Sequence, residues 1–185
     1  MQKIISLFQR NYAGDRLVRD EVVDGAGWVI AGEGVATRKW DGTAAMIRDG
    51  KLYKRYDQKP GRTAPEGWEP AQEPDAITGH HPGWLPVGDG PEDKAFREAM
   101  VPREDGTYEL VGPKVQGNPE HLAVHTLIRH GAERLADVPR DYAGIRQYLA
   151  EHDIEGIVWH HADGRMVKIK AKDFGLKRGV GVGVQ

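Results

Sequence analysis

Apolar and polar residues alternate along "GWVIAGEGVATRKW" (27–40), and the β-branched content predicts one or two strands there. The same two-residue period in "TAAMIRDGKLYKRYD" (43–57) predicts a hairpin, with Asp49-Gly50 supplying the positive φ of a tight turn. "TYELVGP" (107–113) reads as a further strand. "EGIVWHHADGRMVKIKAK" (155–172) reads as a second hairpin that turns at Asp163-Gly164. Helical patterns lie between the strands. One starts at Pro91 with Glu92 and Asp93 in its first turn, and places Phe96, Ala99 and Met100 on one face. A second is capped by Asn118, continues through Pro119 and closes at Gly131, with Val124, Leu127 and Ile128 as its apolar stripe. A third begins near Asp141 and turns Ile145, Tyr148 and Leu149 inward. Residues 58–90 hold six prolines and no clear period, which predicts a long loop or lid with Trp68 and Trp84 as anchors. Strands dominate and do not alternate regularly with helices, so the fold class expected is α+β with antiparallel sheets.

A length of 185 residues suits a single domain, 1–185, with a frayed tail at 179–185. The chain has no cysteine, which excludes disulfides, cysteine-ligated zinc and thiol catalysis. No apolar run nears the length of a membrane span, and the N-terminal segment has no small-residue cleavage site, so a cytoplasmic location and no membrane partner are expected. A net charge of −2 argues against non-specific wrapping of nucleic acid and leaves room for a local basic groove. The run Arg165, Lys168, Lys170, Lys172, Lys177 and Arg178, opposed only by Asp173, reads as either a charged tail or a track for a phosphate backbone.

Within this pattern one residue is out of place. Lys39 ends a strand that reads as buried, and the chain bends at once at Asp41-Gly42. A Lys-x-Asp-Gly alone is a weak signal; its setting on an apolar strand strengthens it, and Gly42 would let the backbone approach a ligand. Lys168 and Lys170 project to one face of their strand, with Ile169 on the other. Two like charges side by side are costly unless an anion lies between them, or unless the strand is a solvated edge. Glu155, at the mouth of a strand beside Gly156, suits a metal, a ribose or a plain turn. Glu109 lies inside a strand and faces either solvent or a site. Taken together these residues suit nucleotidyl transfer through a covalent lysine, with the lysine pair neutralising phosphate oxygens and lowering the nucleophile's pKa. A divalent ion on the carboxylates would offset the developing charge. His121 and His125 have the four-residue spacing of metal ligands, but Leu122 breaks the HExxH pattern.

The order KWDG, YELVG, EGIVW, KIK resembles motifs I, III, IV and V of the covalent nucleotidyltransferases: ATP-dependent RNA and DNA ligases and mRNA capping enzymes. "ATRKWDGTA", "YELVGPKVQGNPE", "HTLIRHG" and "EGIVWH" resemble more closely a small family of 5′-to-3′ RNA ligases. The resemblance implies an adenylation domain of two antiparallel sheets flanked by helices. It implies ATP as AMP donor, Mg2+ or Mn2+, and RNA with 5′-phosphate and 3′-hydroxyl ends as partner, joined by a monomer. It implies that Lys39 forms lysyl-AMP and that Lys168 and Lys170 contact the α-phosphate. Thr37, Arg38, Asp41 and Gly42 would line the nucleotide, with the backbone at Thr37 and Arg38 facing adenine. Arg55, and less strongly Lys54, corresponds to the basic residue that holds the nucleotide or the acceptor 5′-phosphate. Glu109 would contact the ribose or share the metal with Glu155. His125 falls in the region of the base-stacking aromatic. Ala44 stands where many DNA ligases have arginine, which favours RNA. With 15 residues after Lys170, a catalytic domain without an OB-fold is expected. A DNA ligase, a GTP-using capping enzyme or an inactive nucleotide-binding module are the rival readings.

Overall fold

A computed structural model describes residues 4–100, 102 and 104–178; the expected tail at 179–185 lies outside them. In chain order the strands are β1 (Ile5–Ser6), β2 (Phe8–Arg10), β3 (Val18–Val22), β4 (Val35–Lys39), β5 (Thr43–Arg48), β6 (Lys51–Gln58), β7 (Glu69–Pro70), β8 (His81–Pro86), β9 (Gly106–Val111), β10 (Thr126–Arg129), β11 (Gly156–His160) and β12 (Met166–Lys170). The helices are α1 (Gly27–Ile30), α2 (Lys94–Glu98) and α3 (Tyr142–Glu151). The architecture is mixed α+β, with most of its order in sheets. The chain divides into two compact units, one made of residues 41–130 and the other of 4–40 and the segment from 131 onward.

The discontinuous unit carries a four-stranded sheet in the order β1-β12-β11-β4 and a separate β2-β3 ribbon. β11 and β12 form the hairpin read from the sequence, with Gly164 at φ 93 in its turn. β4 pairs antiparallel with β11, so Lys39, at the end of β4, stands opposite Gly156. β1 runs parallel to β12, a departure from the purely antiparallel expectation. It also removes the edge-strand explanation for the lysine pair, because β12 has a neighbour on each side. One face of this sheet is core: Ile157, Trp159, Val167 and Ile169 are fully buried and pack with Leu7, Phe8, Ile145 and Leu149. α3 starts as its sequence predicts, Asp141 accepting from the Gly144 N–H at 2.9 Å.

The other unit carries a six-stranded antiparallel sheet, β10-β9-β5-β6-β8-β7. The β5–β6 hairpin closes through Asp49 and Gly50, both at positive φ. Ala45, Ile47, Tyr108, Leu110 and Leu127 form its core with Phe96 and Ala99 from the α2 region.

Three expectations are corrected here. Residues 118–131 are not a helix: Asn118 takes a left-handed φ of 56 and its side chain closes a local turn on Leu122, and residues 126–129 pair with β9 as β10. Val124 is therefore exposed, and His121 and His125 are not stacked on one helical face. The stretch 58–90 is not all loop. β8 pairs along its length with β6, Trp84 is buried in it, and Trp68 donates to the Tyr56 carbonyl at 3.0 Å. Gly27–Ile30 is a single helical turn rather than a strand.

Candidate active site

In the discontinuous unit, alternation puts Lys39 and Thr37 of β4, Gly156 and Val158 of β11, Lys168 and Lys170 of β12, and Ser6 of β1 on the face opposite the core. Two rows cross the sheet. One is Lys39–Gly156–Lys170, the other Thr37–Val158–Lys168–Ser6. Gly156 has no side chain to part the two lysines beside it, and a Cβ there would lie 2.1 Å from the Ile169 carbonyl oxygen. Both ammonium groups thus reach Glu155, the residue before Gly156. Lys39 Nζ donates to Glu155 Oε2 at 2.6 Å, and Lys170 Nζ lies 3.0 Å from Oε1. The expected trio of Lys39, Lys168 and Lys170 is brought together, with Glu155 in its middle.

The charges do not balance, since three lysines face one carboxylate. Burial alone would raise the Glu155 carboxyl, but the attraction of Lys39 and Lys170 and their hydrogen bonds outweigh it and hold it below its ordinary value. Lys168 has no hydrogen bond or ion pair among the described residues. Burial, followed by the charges of Lys170 and Lys39, pushes its amine down to about 8, against the opposing pull of Asp173 and Glu155. Asp173 is nearly buried. It accepts from the Lys170 backbone N–H at 2.9 Å and pairs with Arg10 at 2.5 Å, which fixes the end of β12. The site is therefore built to receive negative charge.

The same face holds two buried hydroxyls with opposite fates. Thr37 donates to the Val158 carbonyl at 3.0 Å and meets His160 Nε2 at 3.0 Å. Ser6 Oγ, beside Lys168, is buried without a partner among the described residues. Arg38 points to the other side of β4, where its guanidinium stacks on Trp40 at 3.7 Å and approaches Glu133 at 3.6 Å. The run of C-terminal cations is not a continuous track: Arg165 pairs with Asp163 at 2.8 Å and Arg178 with Asp153 at 3.1 Å.

The remaining expected residues lie in the other unit. Asp41 donates its backbone N–H to Glu120 at 2.9 Å. Gly42 admits protein rather than a ligand, since a Cβ there would lie 2.0 Å from the Leu110 carbonyl oxygen. Lys54 and Arg55 fall on opposite faces of β6. Lys54 is on the core side, ion-paired with the buried Asp93, while Arg55 sits across from Trp84 and approaches its ring at 5.8 Å. Glu109 is nearly buried on β9, opposite Ala44. His130 Nε2 lies 2.7 Å from Glu109 Oε2, and His130 Nδ1 lies 3.0 Å from Thr107 Oγ1. Thr107 and His130 carry no motif of their own, and the two-residue spacing of Thr107 and Glu109 on β9 is the only sequence sign of their shared face. His125 is held between Glu98, 3.1 Å from Nδ1, and the Pro113 carbonyl. No group of three or more His, Asp or Glu able to hold a metal occurs among the described residues. No helix among them is long and apolar enough to cross a membrane.

Residues 91–182 match the family described as RNA ligase 1. RNA ligase 1 of Mus musculus is 28% identical, the similarity taking in 77% of this chain and 67% of that protein. The chain is related to the RNA ligase 1 family. The RNA ligase 1 of Pongo abelii gives the same figures, and that of Danio rerio is 31% identical over 54% of this chain and 42% of its own length. The matched segment contains Glu109, Glu155, Lys168 and Lys170, and Lys39 precedes it.

Proposed function

We propose that this relative of RNA ligase 1 is an ATP-dependent RNA ligase with a nucleotidyltransferase-type adenylation fold, working through an AMP adduct on Lys39. The observation that carries the reading is the contact of Lys39 with Glu155 inside a cluster of three lysines on one sheet face. The Lys39 amine attacks the α-phosphorus of ATP, a nitrogen–phosphorus bond forms, and the bond to pyrophosphate breaks as the amine loses its proton. Lys168 and Lys170 offset the charge on the α-phosphate oxygens. An oxygen of an RNA 5′-phosphate then displaces Lys39 from phosphorus, and a 3′-hydroxyl finally displaces AMP to leave a phosphodiester.

In the ion pair Lys39 is held as an ammonium, which has no lone pair to attack with. Lys39 must therefore leave Glu155 first. That leaves a carboxylate able to take a magnesium or manganese ion, which needs only one or two carboxylates when phosphates and water complete its shell. Such an ion would supply charge neutralisation at the phosphates. Thr37, Arg38, Asp41, Gly42, Arg55 and Glu109 belong to the nucleotide in this reading; the burial of Lys54 against Asp93 favours a structural use for it.

Incubation with α-labelled ATP and magnesium tests the proposal. The protein should become covalently labelled, Lys39→Ala should abolish the label, and 5′-phosphorylated RNA should discharge it from the wild type. Undiminished labelling of Lys39→Ala sinks the assignment. Labelling by GTP, or joining of nicked DNA in preference to RNA, would move it to one of the rival enzymes.

A further inference from the structure

Glu109 is a carboxylate with one engaged oxygen. Oε2 faces His130 at 2.7 Å, and Oε1 has no partner among the described residues. On the far side of the imidazole, Nδ1 faces the Thr107 hydroxyl at 3.0 Å. A carboxylate only accepts, so Nε2 carries a hydrogen toward Glu109, and the hydroxyl, which can donate, suits a bare Nδ1. The relay Thr107 O–H to Nδ1, Nε2–H to Glu109 fixes both tautomer and ring plane. The backbone adds a further constraint: the His130 N–H donates to the Thr107 carbonyl at 3.0 Å, immediately after the β9–β10 ladder ends. Thr107 and Glu109 share a face of β9, so the ring bridges two residues of one strand from the end of its neighbour. Opposite Glu109, Ala44 offers only a methyl group, which leaves room beside the carboxylate.

We propose that His130 is a positioning residue that holds Glu109 so that Oε1 accepts a hydrogen bond from a hydroxyl of the nucleotide sugar. This rests on the reading of the chain as a nucleotidyltransferase that uses ATP. The imidazole restricts a carboxylate that would otherwise rotate about its side-chain bonds, and its N–H leaves one oxygen for the ligand. Glu109 then favours a ligand with a sugar hydroxyl over one without it, because an unmatched buried acceptor is costly.

The test compares ATP with 2′-deoxyATP in the labelling reaction. His130→Met keeps bulk and loses both hydrogen bonds; His130→Gln keeps an N–H for Glu109 and an acceptor for Thr107. His130→Met should raise the KM for ATP about tenfold with a smaller change in kcat, and should bring the ATP to 2′-deoxyATP preference close to one. His130→Gln should recover most of both. In the wild type the imidazole nitrogen resonances should show the Nε2–H tautomer, and Thr107→Val should disturb it. A His130→Met protein with wild-type KM and wild-type nucleotide preference overturns the inference while leaving the ligase reading intact. Absence of labelling in the wild type removes the ligase reading itself. If His130→Met does not fold, equal nucleotide preference in His130→Gln, Thr107→Val and the wild type, with the opposite tautomer in the resonances, overturns the inference.

Discussion

At neutral pH the Lys168 ammonium lies where charge is disfavoured, with burial first and then two neighbouring lysines acting against it. Its folded value of about 8 is below the 10.5 of a free lysine, so between these values the folded chain binds fewer protons than the unfolded one. Folding therefore carries the full penalty below pH 8 and sheds it as the pH rises from 8 toward 10.5. Lys168→Met should accordingly be more stable than the wild type at pH 7, by about 2 kcal/mol after screening, and the gap should narrow by pH 10. Thermal melts of the two proteins at the two pH values check this; a less stable Lys168→Met at pH 7 contradicts it. The same variant should label poorly with ATP, which makes Lys168 a residue kept for its ligand at a cost in stability. Glu155 has the opposite sign. Its lowered carboxyl contributes stability above the ordinary carboxylate range and loses it as the pH falls through the folded value.

At the scale of elements, glycines decide how closely strands meet. Gly42→Ala would drive a methyl group into the Leu110 carbonyl, so either β5 or β9 must move. A loss of about 3 kcal/mol is expected, read from urea unfolding, whereas an unchanged midpoint would show that the turn yields freely. Both hairpins were legible in the sequence because alternation and an Asp-Gly turn agree there. β10 was not, because Asn118-Pro119 imitates a helix start and Val124, Leu127 and Ile128 imitate a helical stripe. The competing fact is a four-residue ladder with β9, which no local pattern announces. β8 was hidden by the prolines around it, although Pro82 and Pro86 sit at strand positions themselves.

Across the whole molecule, each compact unit has a hydrophobic core of its own. Ile157 is fully buried in the core of the discontinuous unit, directly behind the lysine face. Ile157→Ala should cost about 2–5 kcal/mol and speed amide exchange in β4, β11 and β12; exchange confined to the other sheet would contradict that division. The lysine cluster was legible because each member sits on a strand whose alternation can be read locally. The bridge from Thr107 through His130 to Glu109 was not, since it depends on the register of two strands, one of them misread. The ion pair of Lys39 with Glu155 likewise follows from β4 standing beside β11, a fact of topology.

Arg38 and Glu133 are joined main chain to main chain at 2.9 Å, and Leu135 returns the bond to Ala36 at the same distance. The polypeptide thus departs the discontinuous unit and comes home through a single doorway. The long excursion of residues 41–130 has the topology of a guest inserted into a host, and its length and content could drift through evolution without pulling Lys39 away from its three companions.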